Sequence, residues 1–136
     1  MVLLPLPARF RGGKISITLK QIGEILSAFN NKDLEAIVEG FDEDGEFLLA
    51  AGAHPYGECF KGHKASRTAL AGRFAVVPDI QWVDAHSWIS GERAVTEWRV
   101  TGTGPNGPIN QLGCDLWTFR EDKVLKKDTY YKQVTA

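Results

Sequence analysis

The half of the chain that follows Asp79 constrains the fold most, because it consists of four long runs rich in Val, Ile, Trp, Thr and Tyr. Such β-branched and aromatic residues favour strands. Short turn sequences separate the runs, at Ser90-Gly91, Pro105-Asn106-Gly107 and Glu121-Asp122. Strands joined by short turns form an antiparallel meander. We therefore predict four consecutive strands, at roughly residues 80–89, 93–102, 109–119 and 123–133.

The N-terminal half shows helical spacing instead. Thr18 and Gln21 have the spacing of a capping box, and five apolar residues follow at intervals of three and four. These residues are Leu19, Ile22, Ile25, Leu26 and Phe29. They predict a first helix over residues 19–29. A second stripe, Leu34, Ile37, Val38 and Phe41, predicts a second helix behind the possible caps Asn31 and Asp33.

Turn residues at positions 42–45 lead into a short predicted strand at 46–51, and residues 64–74 have the spacing of a third helix. Helices first and a sheet second is the α+β layout. The stretch Arg11-Gly12-Gly13-Lys14 is typical of a flexible linker. We therefore predict a flexible N-terminal extension at residues 1–16 and one domain at 17–136.

Charge and composition exclude several partners. The 136 residues carry a formal net charge of −1 with acidic and basic residues interspersed, so we expect neither nucleic-acid nor membrane binding. The apolar stretch from Met1 to Pro7 is short, and basic residues follow it rather than precede it, which is the wrong order for a secretory signal. We expect a cytoplasmic protein whose two cysteines, Cys59 and Cys114, are free thiols.

Three short segments carry a resemblance to a known family. Residues 31–37 (Asn-Lys-Asp-Leu-Glu-Ala-Ile), the residues Gly62, Ala65 and Arg67, and residues 113–119 with Asp122-Lys123-Val124 occur in the order found in the nuclear transport factor 2-like superfamily. The chain most resembles the SnoaL-like branch of that superfamily over residues 17–133. The resemblance implies a cone-shaped, curved antiparallel sheet and three N-terminal helices that enclose a pocket. It also implies a homodimer, with a small apolar organic molecule as the partner.

Asp115 is the first candidate for chemistry in that pocket. Asp115, Trp117 and Phe119 share one face of their predicted strand. Asp115 and Phe119 resemble in spacing a pocket aspartate and phenylalanine of ketosteroid isomerase, a relative in which the protonated acid donates a hydrogen bond to an enolate oxygen. A desolvated carboxyl group would be a usable acid or base. The alternatives are an acid on the outer face or in a structural ion pair.

The last predicted strand has two possible registers. In the first, aligned on the family, Lys127, Thr129 and Tyr131 point inward, with Thr129 where SnoaL-like cyclases carry an aspartate, and Lys127 projects toward Asp115. That pair would be an acid–base couple, a substrate clamp or a buried ion pair. A shift by one residue would bring Asp128 and Tyr130 inward instead.

The loop before the third helix supplies further candidates, since it borders the pocket mouth in this fold. His54 can move protons near neutral pH, although an exposed loop histidine is the alternative. Tyr56 and Phe60 are candidates for ligand contact. Trp98 and Trp117 are also candidates, because strand tryptophans that line a pocket suit a flat or apolar ligand.

Several chemistries are not expected. Residues 102–107 fit the G-x-G-x-x-G string, but a strand follows where a dinucleotide site needs a helix. We find no phosphate-binding loop and no metal-binding spacing, so we predict no cofactor and no metal. By the same resemblance, the catalytic tyrosine of ketosteroid isomerase falls at Ile25 and its base at about Leu49, so that activity is not expected.

Two functions remain open from the sequence. The first is a cofactor-independent isomerase, cyclase, dehydratase or hydrolase that uses Asp115 as acid, base or hydrogen-bond donor, with Lys127 or His54 assisting. The alternative is a non-catalytic domain that dimerises or binds a ligand. The fold alone does not choose between them, because it hosts many reactions.

Overall fold

Three helices and six strands make up residues 16–135, the part of the chain that the computed structural model describes. The helices are α1 (Leu19–Asn30), α2 (Leu34–Gly40) and α3 (His63–Val76). The strands are β1 (Phe41–Leu48), β2 (Cys59–Lys61), β3 (Gln81–Ser90), β4 (Arg93–Gly104), β5 (Gly107–Arg120) and β6 (Lys123–Tyr131). The α+β prediction is confirmed. The predicted extension lies outside the described residues except for Ser16.

The six strands form one open sheet in the order β2-β1-β6-β5-β4-β3. The meander of four antiparallel strands is confirmed, but the prediction of a wholly antiparallel sheet is wrong. β1 pairs with β6 in parallel, with Phe47 opposite Lys127. A hairpin would impose opposite directions, whereas β1 and β6 are joined through one helix and four strands, so the sheet is mixed.

α1 forms as the capping box predicts. The backbone N–H of Gln21 donates to Thr18 Oγ1 at 3.2 Å, and the Gln21 side chain accepts from the Thr18 N–H at 2.9 Å. At the other end of α1, the Asn30 side chain donates to the Trp82 carbonyl and accepts from the Trp82 N–H. These two bonds fix the end of the helix to the start of β3, which places Phe29 beside the inner face of the sheet.

The first strand begins earlier than the sequence indicates. The polar run Asp42-Glu43-Asp44-Gly45, predicted as a turn, is a β-bulge inside β1, where the pairing register to β6 shifts between Phe41 and Glu46. Phe41, predicted at the end of α2, is a buried residue of the strand. The edge strand β2 was not predicted, because three residues are too few to show a period.

The core lies between the three helices and the inner face of the sheet. It is built from apolar residues of every layer, with Ile22 and Ile37 on the helices and Trp117, Phe119 and Val124 on the strands all nearly inaccessible. No helix within residues 16–135 is long and apolar enough to cross a membrane.

Candidate functional site

A cavity of about 440 Å³ opens between α3, the end of α1 and the inner face of the sheet. Its wall is mostly apolar. The main apolar contributors are Phe29, Phe47, Leu49, Phe60, Trp82 and Trp98. Its polar contributors include Lys127, Thr129, Gln111, Arg73 and Tyr131, and no described Asp, Glu or His lines it. The charged groups of the wall are therefore cationic.

Lys127 and Asp115 form an ion pair at the base of this cavity. Lys127 Nζ lies 2.9 Å from Asp115 Oδ1, and the two residues are 4% and 1% exposed. Thr129 bridges them, because its hydroxyl accepts from Lys127 Nζ at 2.9 Å and donates to Asp115 Oδ1 at 2.7 Å. Trp98 Nε1 donates to Asp115 Oδ2 at 2.8 Å. Lysine and tryptophan can only donate, so Asp115 acts as an acceptor toward both.

Aromatic rings surround the ammonium group of Lys127. Its Nζ lies 5.1 Å from the ring centre of Phe29, 5.0 Å from that of Phe47 and 5.8 Å from that of Trp117. A cation within about 6 Å of a ring is attracted to the negative face of its π-system. These contacts, with the ion pair, hold the ammonium group in one place.

A second buried polar cluster lies beside the first and carries no charge. Thr96 is directly opposite Asp115 in the pairing of β4 with β5. Its hydroxyl accepts from Trp117 Nε1 at 3.0 Å and lies 2.8 Å from the hydroxyl of Ser87 on β3. The indole N–H of Trp117 thus donates to a hydroxyl group on the neighbouring strand, and that of Trp98 donates to a carboxylate.

Gly113 makes room for the Trp98 ring. A Cβ at position 113 would lie 2.7 Å from Trp98 Cη2 and 2.5 Å from the carbonyl oxygen of Tyr130. Trp98 pairs with Gly113 across β4 and β5, so its ring lies over the glycine and its N–H reaches Asp115. Because Gly113 has no side chain, the Trp98 ring can lie where its N–H donates to Asp115.

Five of the residues predicted for the site line the cavity, namely Lys127, Thr129, Tyr131, Phe60 and Trp98. The first register considered for the last strand is the one observed. Asp115 does not line the cavity, since it lies behind Lys127 and Thr129 with both oxygens occupied. Trp117 and Phe119 are buried in the core and stack on each other with ring centres 6.0 Å apart.

Two of the three loop candidates, His54 and Tyr56, do not line the cavity. His54 and Tyr56 stack on each other with ring centres 5.1 Å apart, and both side chains are exposed. Neither lines the cavity, although Ala50 and Ala51 at the start of the same loop do. The catalytic role of His54 and the ligand contact of Tyr56 stay predictions.

Sequence reasoning missed the contribution of α3 to the wall. Ala69, Gly72, Arg73 and Val76 line the cavity at helical spacing. The small and apolar residues of 64–74 predict the helix, and Arg73 is not among them. The spacing of Arg73 from Ala69 was the available signal, since residues four apart share one face.

Neither cysteine belongs to the site, and both are free thiols as predicted. Burial raises the pKa of Cys59, and a hydrogen bond to Glu46 raises it further. Burial also raises the pKa of Cys114, with the carboxylates of Asp115 and Glu97 adding to the shift. Both thiols are therefore weak nucleophiles at neutral pH. Among residues 16–135, no group of three or more His, Cys, Asp or Glu side chains could hold a metal ion.

Residues 22–126 match the family model described as the SnoaL-like domain. The chain belongs to the SnoaL-like domain family. This match confirms the branch that the segments at 31–37 and 113–124 indicated. Among curated proteins, none matches this SnoaL-like domain.

Solved structures share the fold of this SnoaL-like domain. A proposed polyketide cyclase from Xanthomonas campestris pv. campestris is 19% identical over 83% of this chain and 88% of that one, with a TM-score of 0.74. TerC, co-crystallised with polyporic acid, is 20% identical over 84% and 90%, with a TM-score of 0.72. A protein with a ketosteroid isomerase-like fold from Catenulispora acidiphila, in complex with trimethylamine, is 16% identical over 85% of this chain and 87% of that one, with a TM-score of 0.74. At such low identity, the similarity shows the fold alone.

Proposed function

We propose that this SnoaL-like domain binds a small, largely apolar organic molecule that carries an anionic or strongly polarised oxygen. The observation that supports this most is the ammonium group of Lys127 at the base of an apolar cavity. A lysine has three N–H groups, and the contacts to Asp115 and Thr129 use two of them. No acceptor within residues 16–135 takes the third. A ligand oxygen could accept a hydrogen bond from this third N–H group of Lys127.

The charge of the wall favours an anionic ligand over a cationic one. Lys127 and Arg73 line the cavity, and no described carboxylate does. In that respect the cavity suits a ligand of the kind co-crystallised with TerC, an organic acid, better than an amine such as the trimethylamine of the Catenulispora protein. We assign Asp115 a positioning role, in which it acts on the ligand through Lys127.

A pair of probes of equal shape tests this proposal. We expect 2-naphthoate to bind about tenfold more tightly than the neutral 2-naphthamide, because a hydrogen bond to a charged group is stronger than one between neutral groups. Binding would be followed by calorimetry and by the fluorescence of Trp82 and Trp98, which line the cavity. The variant Lys127→Met/Asp115→Asn, which removes both charges together, is expected to lose the preference.

Lys126→Met is the matched control, since Lys126 is the adjacent lysine of β6 and does not line the cavity. The control is expected to keep the preference for 2-naphthoate. Equal affinity of the wild-type protein for the two probes would refute the proposal, as would a preference that survives in Lys127→Met/Asp115→Asn.

Proton transfer is the second candidate function, and the continuous hydrogen-bond chain from Lys127 through Thr129 to Asp115 favours it. An isomerase, cyclase or dehydratase reaction that moves a proton at a carbon next to a carbonyl group needs an acid or base held beside that carbon. We would follow the exchange of the α-protons of 2-tetralone in D₂O by NMR. Acceleration over buffer that falls in Thr129→Val would support catalysis, and no acceleration would leave a binding protein.

We also propose that the protein forms a homodimer through the outer face of its sheet. Trp88, Leu112 and Tyr130 are large apolar residues on three strands with 45%, 46% and 54% of their surface exposed. Exposed apolar residues that cluster on one face mark interaction surfaces. We expect light scattering to give twice the chain mass for the wild-type protein and the chain mass for Leu112→Glu. A monomeric wild-type protein would contradict this.

A further inference from the structure

Arg73 is a second cationic group in the wall of the cavity. It lies in the last turn of α3, on the face that Ala69, Gly72 and Val76 also present to the cavity. Whereas Lys127 is 4% exposed, Arg73 is exposed to solvent. The two cations therefore lie at different depths of one cavity, Lys127 at its base and Arg73 near its mouth.

Arg73 has no carboxylate partner within residues 16–135, whereas three other arginines of this part of the chain have one. Arg67 pairs with Glu35, Arg99 lies 3.9 Å from Asp84, and Arg120 lies 3.2 Å from Asp42. Those pairs use the guanidinium group within the protein. The guanidinium group of Arg73 keeps its five N–H donors for solvent or for a ligand.

The wall beside Arg73 is open. A Cβ at Gly72, the neighbouring residue of α3, would meet no atom within 4 Å. Gly72 is exposed and lines the cavity, so there is space for a ligand group next to the guanidinium group. A guanidinium group binds a carboxylate through two parallel hydrogen bonds.

We propose that the ligand carries two acidic groups at opposite ends of an apolar body, one held by Lys127 at the base and the other by Arg73 at the mouth. This inference rests on the proposed function, because it extends the same cavity from one acidic group to two. The apolar wall of the same cavity, which includes Phe60, Leu49 and Trp82, would cover the body of such a ligand.

Two probes with the same ring system test the second contact. 2-Naphthoate has one carboxylate, and naphthalene-2,6-dicarboxylate has two at opposite ends. We expect the dicarboxylate to bind the wild-type protein about tenfold more tightly, as measured by calorimetry. Arg73→Gln is expected to remove that advantage, so that the two probes bind the variant with equal affinity.

Arg67→Gln is the matched control, since Arg67 lies on the same helix but pairs with Glu35 and does not line the cavity. It is expected to bind both probes as the wild-type protein does. If 2-naphthoate binds through Lys127 but the dicarboxylate binds no better, or keeps its advantage in Arg73→Gln, the inference fails and the proposed function stands. If neither probe binds, both fail.

Discussion

Trp98 and Trp117 lie on neighbouring strands, and each needs a hydrogen-bond acceptor for its buried indole N–H. The two residues find different kinds of acceptor. The N–H of Trp117 is satisfied by the Thr96 hydroxyl, and that cluster is neutral and closed. The N–H of Trp98 is satisfied by the Asp115 carboxylate, which brings in Lys127 and Thr129. Thr96 and Asp115 are directly opposite each other in the sheet.

The fold does not require a charge at this depth. A hydroxyl group suffices to satisfy a buried indole N–H, as Thr96 shows. Removing a carboxylate and an ammonium group from water costs on the order of several kcal/mol per ion. The attraction between the two ions often only offsets that cost. Only the charged cluster reaches the cavity, through Lys127 and Thr129. Its charges therefore fit a role in binding better than a role in stability.

The largest effect is expected when the charged cluster loses one partner. Lys127→Met leaves the Asp115 carboxylate 1% exposed with no cation beside it. We expect a loss of about 3–5 kcal/mol in the free energy of unfolding, measured with urea.

The double variant Lys127→Met/Asp115→Asn is expected to recover most of that loss, since it leaves no buried charge. A double variant as unstable as Lys127→Met would show that the ion pair stabilises the fold. The charged cluster would then contribute to stability as the neutral cluster does.

A smaller effect is expected from Gly113→Ala, which disturbs Trp98 and leaves Trp117 alone. The new Cβ would lie 2.7 Å from Trp98 Cη2, and overpacking of this kind costs about 1–3 kcal/mol. We expect lower stability in urea and weaker binding of 2-naphthoate. Gly72→Ala is the control for the stability measurement, because its Cβ meets open space and alanine favours a helix by about 1 kcal/mol. Equal stability of Gly113→Ala and the wild-type protein would contradict the packing argument.

Thr96→Val tests the neutral cluster. It removes the acceptor of Trp117 Nε1 and the contact to Ser87, and an unsatisfied buried N–H costs about 1–2 kcal/mol. We expect the free energy of unfolding to fall by that amount while the preference for 2-naphthoate over 2-naphthamide is kept. Loss of that preference would mean that both clusters serve the ligand.

The smallest effect concerns Asp79, an exposed carboxylate that provides a contrast with Asp115. Hydrogen bonds from the Thr103 N–H and hydroxyl lower the pKa of Asp79 below its ordinary 3.8. A lowered pKa means stability that is present above the unfolded pKa and lost as the pH falls through the folded one. We expect the urea midpoint to fall less between about pH 5 and about pH 3 in Asp79→Asn than in the wild-type protein. Identical pH dependence would contradict this assignment.

The sequence predicts the meander well because its strands are long and their turns are marked by Gly, Asn and Asp. The same alternation placed Asp115 and Lys127 on one face, and the contact follows from their facing strands. The bulge in β1 was missed because a polar run without a period reads as a turn. Its pairing with β6 spans about eighty residues, and such distant pairing leaves no local signal.

Alternation along a strand predicts which face of the sheet a residue lies on, but not how deeply it is buried on that face. Asp115, Trp117 and Phe119 share the inner face with Lys127, yet all three are buried away from the cavity that Lys127 and Thr129 line. Which inward residue reaches the cavity depends on how the neighbouring side chains and the helices pack over the sheet. For the same reason, the contribution of Arg73 appears only once α3 is placed.

The position of β6 between β1 and β5 also bears on the order in which the molecule assembles. β6 carries Lys127 and Thr129, and it joins the earliest strand of the sheet to the meander. Closing so long a loop is slow, since its entropic cost precedes the contacts that repay it. We expect pulsed hydrogen exchange during refolding to protect the hairpin of β4 and β5 before β1. The cavity that Lys127 and Thr129 line would then be among the last parts of the protein to form.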